Sequence, residues 1–229
     1  MRFPLQALLC ICVAALLHGA DATAVLPRLA SEEAADRAAA LRELALSGDP
    51  RLIPFLEDYR QGSAYLQAQR IVLVPETTDG SGVPLDPLTR APLGAAVAIS
   101  GLTELTVSRR ERIAATEAIN RLRLADPNPD ARLAAVTKAS ETANPSDREI
   151  LAEIAATDAD ARIRRAAAEG TATIDLASAD AAARIAACAR LADLHAAGAR
   201  DRLAKLAAED PDPAVKTAAV QAKAAIDNW

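Results

Sequence analysis

The sequence predicts a mainly α fold, an α-solenoid of helical hairpins carrying one small β-hairpin insert, and three observations predict it. A phrase recurs four times in the C-terminal half: Asp126-Pro-Asn-Pro-Asp-Ala-Arg132-Leu-Ala-Ala-Val136, then Asp158-Ala-Asp-Ala-Arg-Ile-Arg164, then Ser178-Ala-Asp-Ala-Ala-Ala-Arg184-Ile-Ala-Ala-Cys188, then Asp210-Pro-Asp-Pro-Ala-Val-Lys216. Each copy holds a polar cap, a short acidic or proline turn, a basic residue six positions on, and an Ala-rich helix; the starts are spaced 32, 20 and 32 residues apart. Self-similarity on this scale marks helical repeats that bury their apolar faces against one another. The composition agrees, because half the chain (51%) is hydrophobic yet only 2% is aromatic, and alanine suits closely packed helices. Last, the pattern changes between Gly62 and Val107, where prolines and β-branched residues replace the helical period.

The elements follow in order. Arg2 precedes an apolar run from Leu5 to Leu17, and Ala20-Asp21-Ala22 offers a small-x-small cleavage site, so residues 1–22 read as a secretory signal peptide. Thirteen residues are too few to cross a bilayer, which needs about 20. Export would remove Cys10, Cys12 and His18, leaving Cys188 as the only cysteine and ruling out an internal disulfide. A first helical pair is expected over 23–61, with Leu41, Leu44 and Ala45 inward. Gly48 stops that helix, Asp49-Pro50 starts the next, and Leu52, Ile53 and Leu56 face inward on it. The β-insert spans 62–107: Ala64-Tyr65-Leu66 and Arg70 to Val74 read as strands, while Asp79-Gly-Ser-Gly82 and Asp86 to Arg90 read as turns. Such a hairpin persists only against an apolar partner, so it is expected to pack on the neighbouring helices.

Helical repeats are expected over 108–229. Ser108 to Glu111 and Ser146 to Glu149 have the capping-box pattern, and Gly198 is expected to end a helix. Ala115, Ile119 and Leu122 fall on one stripe, as do Ile150, Leu151 and Ile154. The later stripes are Ile163, Ala167, Gly170 and Ile174; Ile185, Cys188 and Leu191; Leu203, Leu206 and Ala207; and Val215, Ala219, Ala222 and Ile226.

Net charge is −5 with both signs interspersed, which gives no basic footprint for nucleic acid. Neither a metal nor a cofactor is expected. Cys188 and His195 supply two ligands where zinc needs three or four, and Cys188 lies on an apolar stripe. Gly80-Ser-Gly82 lacks the lysine and helix of a phosphate loop. The acidic pairs Asp158/Asp160 and Asp210/Asp212 recur at helix starts, where they cap. Arg132, Arg164, Arg184 and Lys216, repeated in register, are expected to bind turn acids or carbonyls and set the spacing of the repeats. A partner-contact surface is expected at Arg109, Arg110, Arg112 and Tyr65. No enzymatic activity is expected.

The repeat phrase resembles the HEAT-like family, in which an acidic or proline turn precedes a helix with an inward-directed arginine. The order of pieces is more specific: signal peptide, helical pair, Tyr65, Arg70 to Val74, the Leu85 to Gly94 turn, Asn120 to Arg123, then repeats. That order is similar to the extracytoplasmic N-terminal region of urea ABC-transporter permeases, relatives of the branched-chain amino-acid permeases. The resemblance implies a periplasmic chain at the outer face of the cytoplasmic membrane. It also implies urea permease membrane subunits as partners, and the periplasmic urea-binding protein with them. In that family a polytopic membrane domain follows the repeats; the sequence in hand stops at Trp229, so by itself it is expected to scaffold rather than conduct, touching the membrane only through partners or a missing transmembrane half. The other expectation is a stand-alone periplasmic module for protein interactions. The DNA following the Trp229 codon discriminates between the two.

Overall fold

The structure, a computed structural model, describes residues 22–229. The expected signal segment, with Cys10, Cys12 and His18, lies outside these residues except for Ala22. The chain divides into two compact units, one running to Leu122 and one starting at Arg123. It is mainly helical, with a small antiparallel sheet.

In the first unit a short helix α1 (Ala22–Val25) and a 3-10 turn lead into α2 (Ala34–Leu46), α3 (Leu52–Gln61) and, after the insert, α4 (Arg109–Leu122). Helix α4 packs on both α2 and α3. Leu41 and Leu44 from α2, Leu52, Phe55, Leu56 and Tyr59 from α3, and Ala115, Ile119 and Leu122 from α4 are buried in one core. Each fully buried leucine contributes about 1.5–3 kcal/mol. Gly48 and Gly62 take φ of 67° and 86° after α2 and α3. That left-handed conformation lets the Gly62 N–H reach the Tyr59 carbonyl and the Ser63 N–H reach that of Asp58. The Ser108 box forms: the Glu111 N–H donates to Ser108 Oγ, and the Ser108 N–H donates to Glu111 Oε2 at 2.7 Å.

The insert is richer than one hairpin. Strands β1 (Ala64–Gln67) and β2 (Arg70–Leu73) pair with Tyr65 opposite Val72, and β5 (Thr103–Glu104) joins the other side of β1, giving the order β2-β1-β5. Strands β3 (Ser81–Gly82) and β4 (Val97–Ala98) form a second antiparallel pair. Ala64, Ile71, Leu73, Leu105 and Val107 belong to the same core as α2–α4, so the sheet does pack on its helices. Asp86 holds the following turn, accepting from the Leu88 and Thr89 N–H groups at 3.0 and 2.8 Å and from Arg70 at 2.7 Å. Arg90 ties that turn to α3 through Asp58, at 2.5 Å.

The second unit holds α5 (Pro129–Thr142), α6 (Arg148–Thr157), α7 (Ala161–Asp175), α8 (Ala181–Asp193), α9 (Arg200–Glu209) and α10 (Pro213–Asp227). Helix α7 packs on α5 and α6, α10 packs on α8 and α9, and α8 covers part of α7. The uneven spacing of the phrase thereby resolves into one period of 52 residues: Arg132 matches Arg184 and Asp158 matches Asp210. Each period is three helices, with the third laid on the first two. The first unit has the same plan, with α4 on α2 and α3. The expected stripes are inward, and Ile163, Ala167, Gly170, Val215, Ala219 and Ile226 are all buried.

Two local expectations fail. Ser146 does not form a capping box, because Asn144 caps a 3-10 turn over Pro145–Asp147 first and α6 begins at Arg148 without a side-chain cap. Gly198 does not end a helix; it lies inside a 3-10 turn, and the left-handed residue after α8 is His195, φ 48°. Ala143, its counterpart one period earlier, takes φ 50° after α5.

Arginine clamps and a candidate interaction surface

Six helices share one rule at their starts. The residue four positions past the first-turn cap is basic: Arg37 after Glu33, Arg112 after Ser108, Arg132 after Asn128, Arg164 after Asp160, Arg184 after Asp180 and Lys216 after Asp212. A helical side chain points toward its own N-terminus, so a long basic chain at this place folds back over the turn it has just left. There it finds carbonyls that the turn leaves open. Arg132 donates to the Asp126 carbonyl at 2.5 Å, Arg164 to Asp158 at 2.8 Å and Arg184 to Ser178 at 2.8 Å, each six residues back. Arg37 does the same with Ser31 at 2.7 Å. Arg112 reaches only Val107, at 3.3 Å, and Lys216 reaches Ala208, at 2.9 Å.

Three of the six make a second contact with a carboxylate at the start of the third helix in their own period. Arg132 grips Asp158 through Nε at 2.6 Å and Nη2 at 3.2 Å. Arg184 grips Asp210 in the same fork, at 2.8 and 3.0 Å. Arg37 donates to Glu111 Oε1. The Arg184 and Asp210 side chains are only 11% and 4% exposed. Both aspartates also accept from the N–H two residues on, Asp160 at 2.8 Å and Asp212 at 2.9 Å, so one carboxylate shapes its turn and anchors the first helix of its period. The arginine hydrogen bonds hold the Asp158 and Asp210 carboxyls below the usual carboxylate range. Burial works against ionisation of Glu111, but hydrogen bonds from Ser108 and Arg37 outweigh it and its carboxyl is also lowered. Arg164 and Lys216 bind carbonyls without such a fork.

The sequence reading overlooked Arg37, although Ser31-Glu-Glu-Ala-Ala-Asp-Arg37 has the same cap-plus-four spacing. Its phrase lacks the paired aspartates and prolines that made the others visible. Its acid lies 74 residues away instead of 26, because the β-insert intervenes.

The four residues expected to meet a partner are spread over two elements. Arg109 and Arg110 are exposed in the first turn of α4, and among the described residues their side chains have neither a hydrogen bond nor an ion pair. Arg112 is partly engaged with Val107. Tyr65 is half-buried in the central strand β1, between Val72 and Glu104, and no described interaction joins it to the arginines. Ile113, 52% exposed, shares the outward side of α4 with Arg109 and Arg110.

Other chemistry-bearing groups are structurally occupied. Cys188 is buried, and that burial pushes its thiol up. His195 stacks on Trp229 with ring centroids 4.4 Å apart and planes 8° from parallel. Tyr59 is fully buried with its hydroxyl unpartnered among the described residues, and burial drives its pKa up to about 12. A cleft of ≈ 420 Å³ opens between the C-terminal ends of α5 and α7 and the side of α9, walled by Ala143, Pro145, Ile174 and Leu206. Arg202 bridges its rim by donating to the Glu141 carbonyl at 2.5 Å. Among the described residues, no group of three or more His, Cys, Asp or Glu is arranged to hold a metal ion, and no helix is long and apolar enough to cross a membrane. Compared with protein-family models, curated proteins and solved structures, the chain finds no match.

Proposed function

We propose that this chain is a non-catalytic docking and assembly scaffold, a HEAT-like α-solenoid that serves a urea ABC-transporter permease from the periplasmic side of the membrane. The observation that carries the reading is the repeated clamp. Arg132–Asp158 and Arg184–Asp210 occupy the same place in successive periods, so these largely buried charges are committed to spacing helices rather than to a reaction. Repeats built this way present long outer surfaces suited to binding other proteins. The order of signal segment, helical pair, β-insert and repeats, which resembles the extracytoplasmic region of those permeases, supplies the partner. Arg109, Arg110 and Ile113 on α4 supply a contact surface whose cations sit at the positive end of a helix, where an acidic partner relieves them.

The test is capture from the native host. A tagged copy of the full chain, recovered from the periplasmic fraction, is expected to retain urea permease subunits or the urea-binding protein. Arg109→Glu with Arg110→Glu is expected to weaken that retention without changing the melting temperature. Recovery of the unprocessed chain from the cytosol, or retention of neither partner while urea uptake proceeds, rejects the reading.

A further inference from the structure

We infer that the cleft between α5, α7 and α9 binds a small planar aromatic anion, its ring lying between Ala143 and Ala177 and its charge turned to Lys205 and Arg202. The ring follows from the 52-residue period. Ala143 and Ala177 both line the cleft. One period later the same two places hold His195 and Trp229, whose rings stack with centroids 4.4 Å apart and planes 8° from parallel. The backbone repeats with them. Ala143 and His195 take φ of 50° and 48°, and Ile174 on the cleft wall corresponds to Ile226, both buried. The two stretches of main chain that meet here are thus spaced for flat rings lying face to face. Alanine at both places gives that width to the cleft, whose ≈ 420 Å³ falls within the range of small-molecule sites. Ile174, Leu176 and Leu206 make its lining apolar.

The charge follows from the ionisable groups around the cleft, which are Arg202, Lys205, Glu209 and Asp210. Asp210 is taken by the Arg184 fork at 2.8 and 3.0 Å, and its side chain is only 4% exposed. Arg202 donates to the Glu141 carbonyl at 2.5 Å, a neutral acceptor that leaves its positive charge uncompensated. Lys205 is 3.9 Å from Glu209, an exposed pair too long for a hydrogen bond, so its ammonium donors are not committed among the described residues. Two cations therefore face one exposed carboxylate, and that excess selects an anion. A ring bearing a carboxylate answers both features at once, the flat space between the alanines and the cations on α9.

The inference is independent of any role in transport. It is tested on the full chain with indole-3-acetate and with indole, by titration calorimetry and thermal melts. Indole-3-acetate is expected to bind one to one and to raise the melting temperature as its concentration grows. Indole, which lacks the carboxylate, is expected to bind about fivefold more weakly, the worth of one exposed charge contact. Lys205→Glu, a change at an exposed position, is expected to weaken indole-3-acetate by at least that factor and to leave indole unaffected. Ala143→His with Ala177→Trp rebuilds the stack of the second period in the first, and is expected to abolish binding of both probes. If that double variant loses its helical circular dichroism, Lys205→Glu alone decides. Absence of saturable binding by the wild type overturns the inference, as does equal affinity for the two probes. Unchanged affinity for indole-3-acetate in Lys205→Glu, or binding that survives the double substitution in a folded chain, overturns it as well.

Discussion

Arg184 is gripped from two sides: both Asp210 oxygens take its fork, and the carbonyls of Ser178 and Ala179 accept from its Nη1 at 2.8 and 3.1 Å. Truncation to alanine would leave the Asp210 carboxylate sequestered without its cation, which is the larger part of the damage when such a pair is broken. Arg184→Ala is therefore expected to lower the melting temperature clearly, and Arg184→Lys to recover it only in part, since an ammonium cannot fill a two-pronged site. Arg164 has carbonyl acceptors alone, so Arg164→Ala is expected to cost less. Thermal melts of the three variants check this, and equal losses at Arg184 and Arg164 would refute the importance of the fork. These roles were half legible in the sequence. The repeated basic position pointed to Arg132, Arg164, Arg184 and Lys216 together. What separates the forked pair from the rest is a carboxylate 26 residues away, and proximity across a helix bundle leaves no local mark.

At the scale of elements, two helices approach closely at Gly170, in the middle of α7. A Cβ placed there would lie inside the contact distance of Ser140 Oγ and only 3.1 Å from Leu151 Cδ1. Ser140 is itself fixed, its Oγ lying 2.8 and 2.9 Å from the carbonyls of Val136 and Ala166, which share its single hydroxyl proton. Gly170→Val is thus expected to destabilise the second unit by about 1–3 kcal/mol through overpacking, a figure that chemical denaturation measures. A neutral result would show that α5 and α7 can separate freely. The sequence placed Gly170 on an inward stripe, but it did not show that the glycine marks contact with α5. Helices were legible because alanine and leucine keep the helical period. The insert's strands were harder: β3, β4 and β5 are two residues each, too short for alternation to register, and the β1–β2 turn uses Ala68 and Gln69 at φ 45° and 66° where glycine or asparagine would have signalled it.

For the molecule as a whole, acid is the informative perturbation, because the clamp recurs in both units through Glu111, Asp158 and Asp210. Each carboxyl has a folded pKa below its unfolded value. A lowered pKa contributes stability that is complete above the unfolded value and disappears as pH falls through the folded one. The melting temperature is accordingly expected to hold from neutral pH to about pH 5 and to drop steeply below about pH 4, where unfolded carboxylates begin to take up protons. A melt that improves on acidification would show that these pairs do not hold the helices. The 52-residue period itself escaped the sequence reading, which measured the intervals 32, 20 and 32 and stopped at hairpins, because the third helix of each period carries a copy of the phrase too.

That period has no gap or insertion between its two copies in the second unit: cap, basic residue, acid and αL residue all recur at one offset. Growth or shrinkage of this part of the chain is consequently quantised. Loss or duplication of one entire module keeps every arginine in phase with its acid, whereas an indel of a few residues inside a module throws the downstream grips out of step, so natural length variation should run in whole modules.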